Sequence, residues 1–153
     1  MNSVPHILLV EDSADDVFIF KRALQDARIK NPVVVVSNGQ DAIDYLSRKS
    51  AYSDTETRSL PFVIFLDLKL PYQDGFEVLE WIRNQPVLQT IPVVVLSGSG
   101  EIRDHQRAYA LGARSYLIKP PDSQHILQFI DSMRSYWGSA DYPWPVVIES
   151  GYD

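Results

Sequence analysis

The 153-residue sequence predicts an α/β fold: a doubly wound parallel sheet of five strands with helices on both faces. Three observations carry that expectation. Short apolar, mostly β-branched runs recur without the apolar–polar alternation of a one-faced sheet, which suits strands covered on both sides. Amphipathic stretches of helical period separate those runs. The alternation is kept five times, and parallel neighbours need a crossover of that kind, normally right-handed.

The first strand is Ile7–Val10. Residues 14–28 form the first helix, with Val17, Phe20 and Leu24 on one face, Ser13 as N-cap and Asp16 in the first turn. Val33–Val36 is the second strand, and 40–48 the second helix, with Ile43 and Leu46 on one side. The polar stretch Ser50–Ser59 reads as an exposed loop before the third strand, Phe62–Leu66. Asp74 caps a helix over 75–84 whose inner face is Phe76, Leu79 and Ile82. Val93–Leu96 is the fourth strand, and the helix over 102–111 stops at Leu111-Gly112. Tyr116–Ile118 is a short fifth strand. Asp122 then caps a helix over 122–136 with Ile126, Phe129, Ile130 and Met133 on its stripe. Residues 5–137 make one domain and 138–153 a C-terminal tail. Aromatics in that tail, Tyr142 and Trp144 among them, favour packing over a free end.

Composition narrows the function. There are no cysteines, which excludes disulfides, thiolate metal sites and cysteine nucleophiles. The net charge is −6 and no Lys/Arg cluster is present, so neither nucleic acid nor an anionic membrane is an expected partner. No run approaches the ~18 apolar residues of a membrane span, and the first residues do not form a signal peptide. The expected location is the cytoplasm.

In "VIFLDLKLPYQDG", residues 63–75, a run that reads as a buried strand ends on a carboxylate, Asp67. Parallel strands direct all their C-terminal ends to one edge, where ligands bind. Glu11-Asp12 follows the first strand, Asp67 the third, Ser97-Gly98 the fourth and Lys119-Pro120 the fifth. Three crowded carboxylates repel one another and raise their pKa values, and a divalent cation relieves this. Oxygen ligands without His or Cys favour Mg²⁺ or Mn²⁺ over Zn²⁺. Ser97 can donate to an incoming anion, Lys119 can pair with it, and Asp67 is placed to attack phosphorus. The expected product is an acyl phosphate on Asp67. His6, His105 and His125 are single and scattered, and surface or structural roles are expected for them.

The runs "ILLVEDS", "VIFLDLKLPYQDG", "VVVLSGS" and "YLIKPP", in that order over residues 5–137, resemble the receiver domains of two-component response regulators. The resemblance implies a flavodoxin-like sheet of strand order 2-1-3-4-5. It implies that Glu11, Asp12, Asp67 and the backbone carbonyl of Lys69 hold Mg²⁺, and that Asp67 accepts a phosphoryl group from a histidine of a sensor kinase. Ser97 is the hydroxyl that moves onto that group, Tyr116 the aromatic switch and Lys119 the family's lysine. The Lys119-Pro120 bond is cis in relatives. Glu11 stands where Asp is commoner and Ser97 where Thr is frequent. Gly98 replaces a frequent Ala, which leaves the phosphate more open to water, and Lys69 occupies a position that tunes dephosphorylation.

The polar insertion, "LDLKLP" and the lack of an output domain are similar to the stand-alone, single-domain regulators that pair with bacterial phytochromes. The implied partners are a sensor histidine kinase, a phytochrome in that subclass, and a downstream protein target. A homodimer through the fourth helix, fifth strand and fifth helix is also implied. Such a protein is not a turnover enzyme; it catalyses only its own phosphorylation and dephosphorylation. The alternative is a pseudo-receiver, a phosphorylation-independent interaction module. A haloacid-dehalogenase-type phosphohydrolase needs a second Asp where Lys69 stands. A flavodoxin-like cofactor site needs a phosphate-cradling loop where Glu11 and Asp12 stand.

Overall fold

Strand ends are the feature of this fold that matters most for chemistry, because each carries one polar group to a common rim. In the computed structural model, residues 4–47, 60–139 and 143–149 are described. The expected loop Ser50–Ser59 and Tyr142 lie outside them. The elements are β1 (Ile7–Val10), α1 (Ala14–Asp26), β2 (Val33–Val36), α2 (Gly39–Ser47) and β3 (Val63–Asp67). They continue with α3 (Gly75–Arg83), β4 (Val93–Ser97), α4 (Ile102–Ala110), β5 (Ser115–Ile118) and α5 (Ser123–Ser132). All strand pairs are parallel, in the order β2-β1-β3-β4-β5.

The pleat sorts each buried run between two cores. Leu8, Val10, Ile64, Leu66, Val93 and Val95 face one layer, closed by Ala42 and Leu46 of α2, Leu79 and Ile82 of α3 and Ala108 of α4. Ile7, Leu9, Phe65 and Val94 face the other, closed by Phe20 and Leu24 of α1 and by Ile126, Phe129 and Ile130 of α5. Each large side chain so buried contributes about 1.5–3 kcal/mol.

The helix starts agree with the expected caps: Ser13, Asp74 and Asp122 each accept a backbone N–H three residues on. Several boundaries differ for identifiable reasons. α1 stops at Asp26 because Arg28 takes φ 63°, which the helix cannot continue through. α5 ends at Ser132, and turns follow as far as Gly138, whose φ is 93°. β2 is an edge strand and only Val36 is fully buried. On α2 the buried residues include Ala42, Tyr45 and Leu46, and Ile43 is half-buried. β3 extends to Asp67 and β4 to Ser97, so both polar residues belong to the sheet itself.

The described tail residues, 143–149, pack on the domain, through Val146 more than through the exposed Trp144. Val146 is buried in the α1/α5 core, and Trp144 meets Trp137 edge to face at 6.1 Å. Ile148 bridges Ile29 in antiparallel fashion, with Lys30 N–H donating to the Val147 carbonyl at 2.8 Å.

Candidate functional site: an acidic cluster around Lys119

Register brings the polar strand ends together. Val10 pairs with Leu66, which places Glu11 beside Asp67 at adjacent strand ends. Asp67 pairs with Leu96, one residue before Ser97. Ser97 pairs with Ile118, one residue before Lys119, and the Lys119 N–H donates to the Ser97 carbonyl at 2.8 Å.

The Lys119 ammonium is the hub. Its Nζ donates to Glu11 Oε1 at 2.7 Å, Asp16 Oδ2 at 2.9 Å and Asp67 Oδ2 at 3.0 Å. Each remaining oxygen of the two buried acids is also engaged. Asp67 Oδ1 accepts the Lys69 N–H at 3.0 Å, and Glu11 Oε2 accepts the Ser13 N–H at 3.2 Å. These bonds fix both carboxylates in one orientation at the rim.

Burial pushes the Glu11 carboxyl up from an ordinary 4.5 to about 7; the hydrogen bond from Lys119 opposes this, and neighbouring Asp67 adds to it. Repulsion between the acids is therefore present, but desolvation is the larger cause. For Lys119 burial pulls the pKa down, but hydrogen bonds to Glu11, Asp16 and Asp67 outweigh it and hold the ammonium above its ordinary range.

Carboxylate oxygens of Glu11, Asp12 and Asp67 lie within 4.8 Å of one another. Glu11 and Asp67 are buried and Asp12 is exposed, so the cluster opens to solvent on one side. An all-oxygen donor set of this kind can hold a hard divalent cation. Asp12, Lys69, Ser97, Asp104 and Arg107 line an adjoining cleft of about 620 Å³.

Ser97 is 1% exposed, and its Oγ accepts the Ser99 N–H at 3.1 Å. Tyr116 is buried, and its hydroxyl donates to the Ser99 carbonyl at 3.0 Å. The loop after β4 thus links the two residues expected to form a switch. Gly98 is exposed, and a Cβ there would have nothing within 4 Å. The Lys119–Pro120 peptide is cis. Lys69 offers its backbone N–H to Asp67, and its side chain is exposed.

One participant, Asp16, is not distinguished by the sequence. Asp16 has the sequence signature of a first-turn acid and nothing more; α1 starts directly after the rim residues Glu11 and Asp12, and its first turn therefore keeps Asp16 within reach of Lys119 at 2.9 Å. For His105 the expected surface or structural role is a structural one: it is half-buried with its ring against Tyr116.

Comparison with known proteins identifies the family and matches the fold. Residues 7–131 match the family described as response regulator receiver domain. Rcp1 of Synechocystis sp. is 34% identical over 131 residues, covering 86% of this chain and 87% of Rcp1. The Mn(2+)-bound form of Rcp1 superposes with a TM-score of 0.69, covering 95% of this chain and 99% of that one. The bacteriophytochrome response regulator RtBRR superposes with a TM-score of 0.79 at 36% identity, over 92% of this chain and 84% of that one. The phosphorylated cyanobacterial phytochrome response regulator RcpA gives a TM-score of 0.72 at 34% identity, over 88% and 94%. With its five-stranded order, its acidic rim and a family match over most of its length, this chain belongs to the response regulator receiver domain family.

Proposed function

We propose that the chain is a response regulator in which Asp67 accepts a phosphoryl group from a sensor histidine kinase and thereby switches a protein-interaction surface. The single observation that carries this reading is the 3.0 Å contact of Asp67 with Lys119, with Glu11 and Asp12 beside it. In this reading residues 5–137 carry the receiver and 138–153 are its C-terminal tail, of which Val146 packs into the core. No helix among the described residues is long and apolar enough to cross a membrane. The proposed location is the cytoplasm, and no nucleic acid or membrane is required.

An oxygen of Asp67 forms the new O–P bond while the P–N bond of phosphohistidine breaks and its electron pair stays on the imidazole. In the reverse fate, water attacks phosphorus, the P–O bond to Asp67 breaks, and the carboxylate and inorganic phosphate are released. Lys119 pairs with the phosphoryl charge and Ser97 donates to one of its oxygens. Glu11, Asp12, Asp67 and the Lys69 carbonyl would hold Mg²⁺, which supplies further neutralisation of phosphoryl charge when bound. That Rcp1 has a Mn(2+)-bound form supports the binding of a divalent ion by this chain.

When Ser97 turns to the phosphoryl group it gives up the Ser99 N–H, and the Ser99 carbonyl that holds Tyr116 moves with the loop. Coupling of about 1–3 kcal/mol is enough to redistribute the two states. The face formed by α4, β5 and α5 carries the change to a downstream protein or to a second copy of the chain. The resemblance to RtBRR and RcpA, both named as phytochrome response regulators, supports a bacterial phytochrome as the kinase.

The test is intact-mass analysis after acetyl phosphate and Mg²⁺, on wild type and Asp67→Asn. One PO₃ adduct that needs Mg²⁺ and disappears in the variant is expected. No wild-type adduct would leave a pseudo-receiver, and an adduct persisting in Asp67→Asn would move the acceptor elsewhere.

A further inference from the structure

We propose that Asp16 is a positioning residue for Lys119 in this phosphoryl transfer, holding the ammonium at the rim while its other partners change. The proposal rests on the reading of Asp67 as acceptor.

An ammonium has three N–H donors, and all three of Lys119 are directed at carboxylates: Glu11, Asp16 and Asp67. The three acceptors are not equivalent. Glu11 and Asp67 belong to the cluster whose oxygens converge within 4.8 Å, and Asp16 does not. Two of the acceptors therefore have a second claim on their oxygens, from a cation in one case and from phosphorus in the other. Asp16 has neither. It is also the most exposed of the three, with a side-chain exposure of 37% against 2% for Glu11 and 7% for Asp67.

Asp16 is well anchored for this task. Its N–H donates to the Ser13 side chain at 3.2 Å, which ties it to the cap of α1. It lines a pocket of about 260 Å³ with Ile19, Phe20, Leu96, Lys119 and Pro120, so Lys119 reaches it along an apolar wall. A flexible four-carbon stem on such a wall has no fixed end of its own; the acceptors at its tip set the direction.

During transfer the charges around Nζ are redistributed. Asp67 gives an oxygen to phosphorus, and Glu11 would share its oxygens with a cation held by the cluster. Lys119 must then redirect two N–H bonds to phosphoryl oxygens without swinging away. The Asp16 contact is the one that can persist through this exchange. Loss of Asp16 leaves the ammonium held only by groups whose bonding is changing, and misplacement of a charge-stabilising group by about 1 Å costs on the order of 100-fold in rate.

The experiment follows PO₃ adduct formation by acetyl phosphate under intact-mass detection for wild type, Asp16→Asn, Asp16→Ala and Asp16→Glu, with Mn²⁺ affinity measured by calorimetry on the same proteins. In the reaction an Asp67 oxygen bonds phosphorus as acetate leaves with the electron pair of the broken P–O bond. Asp16→Ala and Asp16→Asn are expected to slow adduct formation by roughly 10- to 100-fold. Asp16→Glu is expected to restore much of the rate, and Mn²⁺ affinity to change by less than about threefold. In a Lys119→Ala background, Asp16→Ala is expected to add no further loss, since the two residues act as one unit. Wild-type rates in Asp16→Ala, a parallel collapse of Mn²⁺ binding, or full additivity with Lys119→Ala would each overturn the proposal while leaving Asp67 as acceptor. Absence of any adduct on wild type would end both readings together.

Discussion

The Tyr116 ring is stacked on that of His105, with centroids 3.8 Å apart and planes inclined by 23°, while its hydroxyl reaches the Ser99 carbonyl at 3.0 Å. His105 Nε2 is buried with no hydrogen-bond partner among the described residues, so the imidazole serves Tyr116 as a stacking face. The inward ring is thus held by one polar contact at its tip and one aromatic contact along its side. Tyr116→Phe removes only the first, at a cost of about 1 kcal/mol, or roughly 2–4 °C in Tm for a chain of this length. Tyr116→Ala removes both. Each variant is expected to form the PO₃ adduct at wild-type rate, with Tyr116→Ala failing to change partner affinity on phosphorylation. Equal loss of adduct and partner response would place Tyr116 in the chemistry instead of the relay.

Glu11 gives the site a pH dependence whose sign can be worked out. Its folded-state pKa, about 7, lies above the ordinary 4.5, so the folded chain holds this proton more tightly than the unfolded chain does. Its contribution favours folding below about pH 4.5 and is lost as pH rises through about 7. Lys119, raised in the other class of group, stays charged throughout that window and does not offset the loss. Glu11→Gln is therefore expected to stabilise the metal-free protein at pH 8, by on the order of 1–3 kcal/mol, and to have little effect at pH 5. A divalent cation competes with the proton for the same oxygen. Wild-type Mg²⁺ affinity should fall as pH drops from 8 to 6, by up to about tenfold per unit below the pKa. Calorimetric titrations at several pH values, with EDTA-treated protein as the reference, measure both effects.

The sequence was most readable where one residue type admits one solution. Runs such as Ile7–Val10 and Val93–Leu96 cannot face water on either side, so a covered parallel sheet followed, and with it the shared edge that collects Glu11, Asp67, Ser97 and Lys119. Caps were readable because Ser13, Asp74 and Asp122 bond locally. Features that depend on distant partners were less so. Asp16 joins Lys119 across 103 positions, and nothing in its own neighbourhood distinguishes it from a solvated first-turn acid. The stop of α1 at Asp26 depends on Arg28 adopting φ 63°, a conformation that an arginine seldom announces.

Gly75 is required by the backbone of the acceptor loop. Its N–H donates to the Leu68 carbonyl at 2.8 Å, and an added Cβ would lie 2.5 Å from the Asp67 carbonyl oxygen and 2.5 Å from the Leu68 Cα. Backbone atoms cannot rotate aside as a side chain can. Gly75→Ala is therefore expected to displace residues 67–68, to destabilise by roughly 1–3 kcal/mol and to slow phosphorylation of Asp67. Paired urea titration and adduct kinetics distinguish this from a plain packing defect, which would lower stability and leave the rate on the folded fraction unchanged.

Asn31 ties the C-terminal tail to the receiver. Its Nδ2 donates to the carbonyls of Pro5 and Pro145, both at 2.9 Å, and its Oδ1 accepts the Val147 N–H at 2.8 Å. The residue is buried, so these three backbone groups lose their partner together if the amide is removed. The Lys30–Glu149 ion pair nearby spans 3.3 Å but is more than half exposed on both sides. Magnitudes separate the two: unsatisfied buried groups cost about 1–3 kcal/mol each, whereas an exposed pair is worth about 0–1 kcal/mol. Asn31→Ala is expected to destabilise by about 2–4 kcal/mol and to expose Val146 and the buried Trp137 against which Trp144 packs, with a red shift in tryptophan emission. Lys30→Ala is expected to change stability by less than about 1 kcal/mol with no spectral shift. Equal effects of the two substitutions would mean that the tail is held by its surface charges and not by the buried amide.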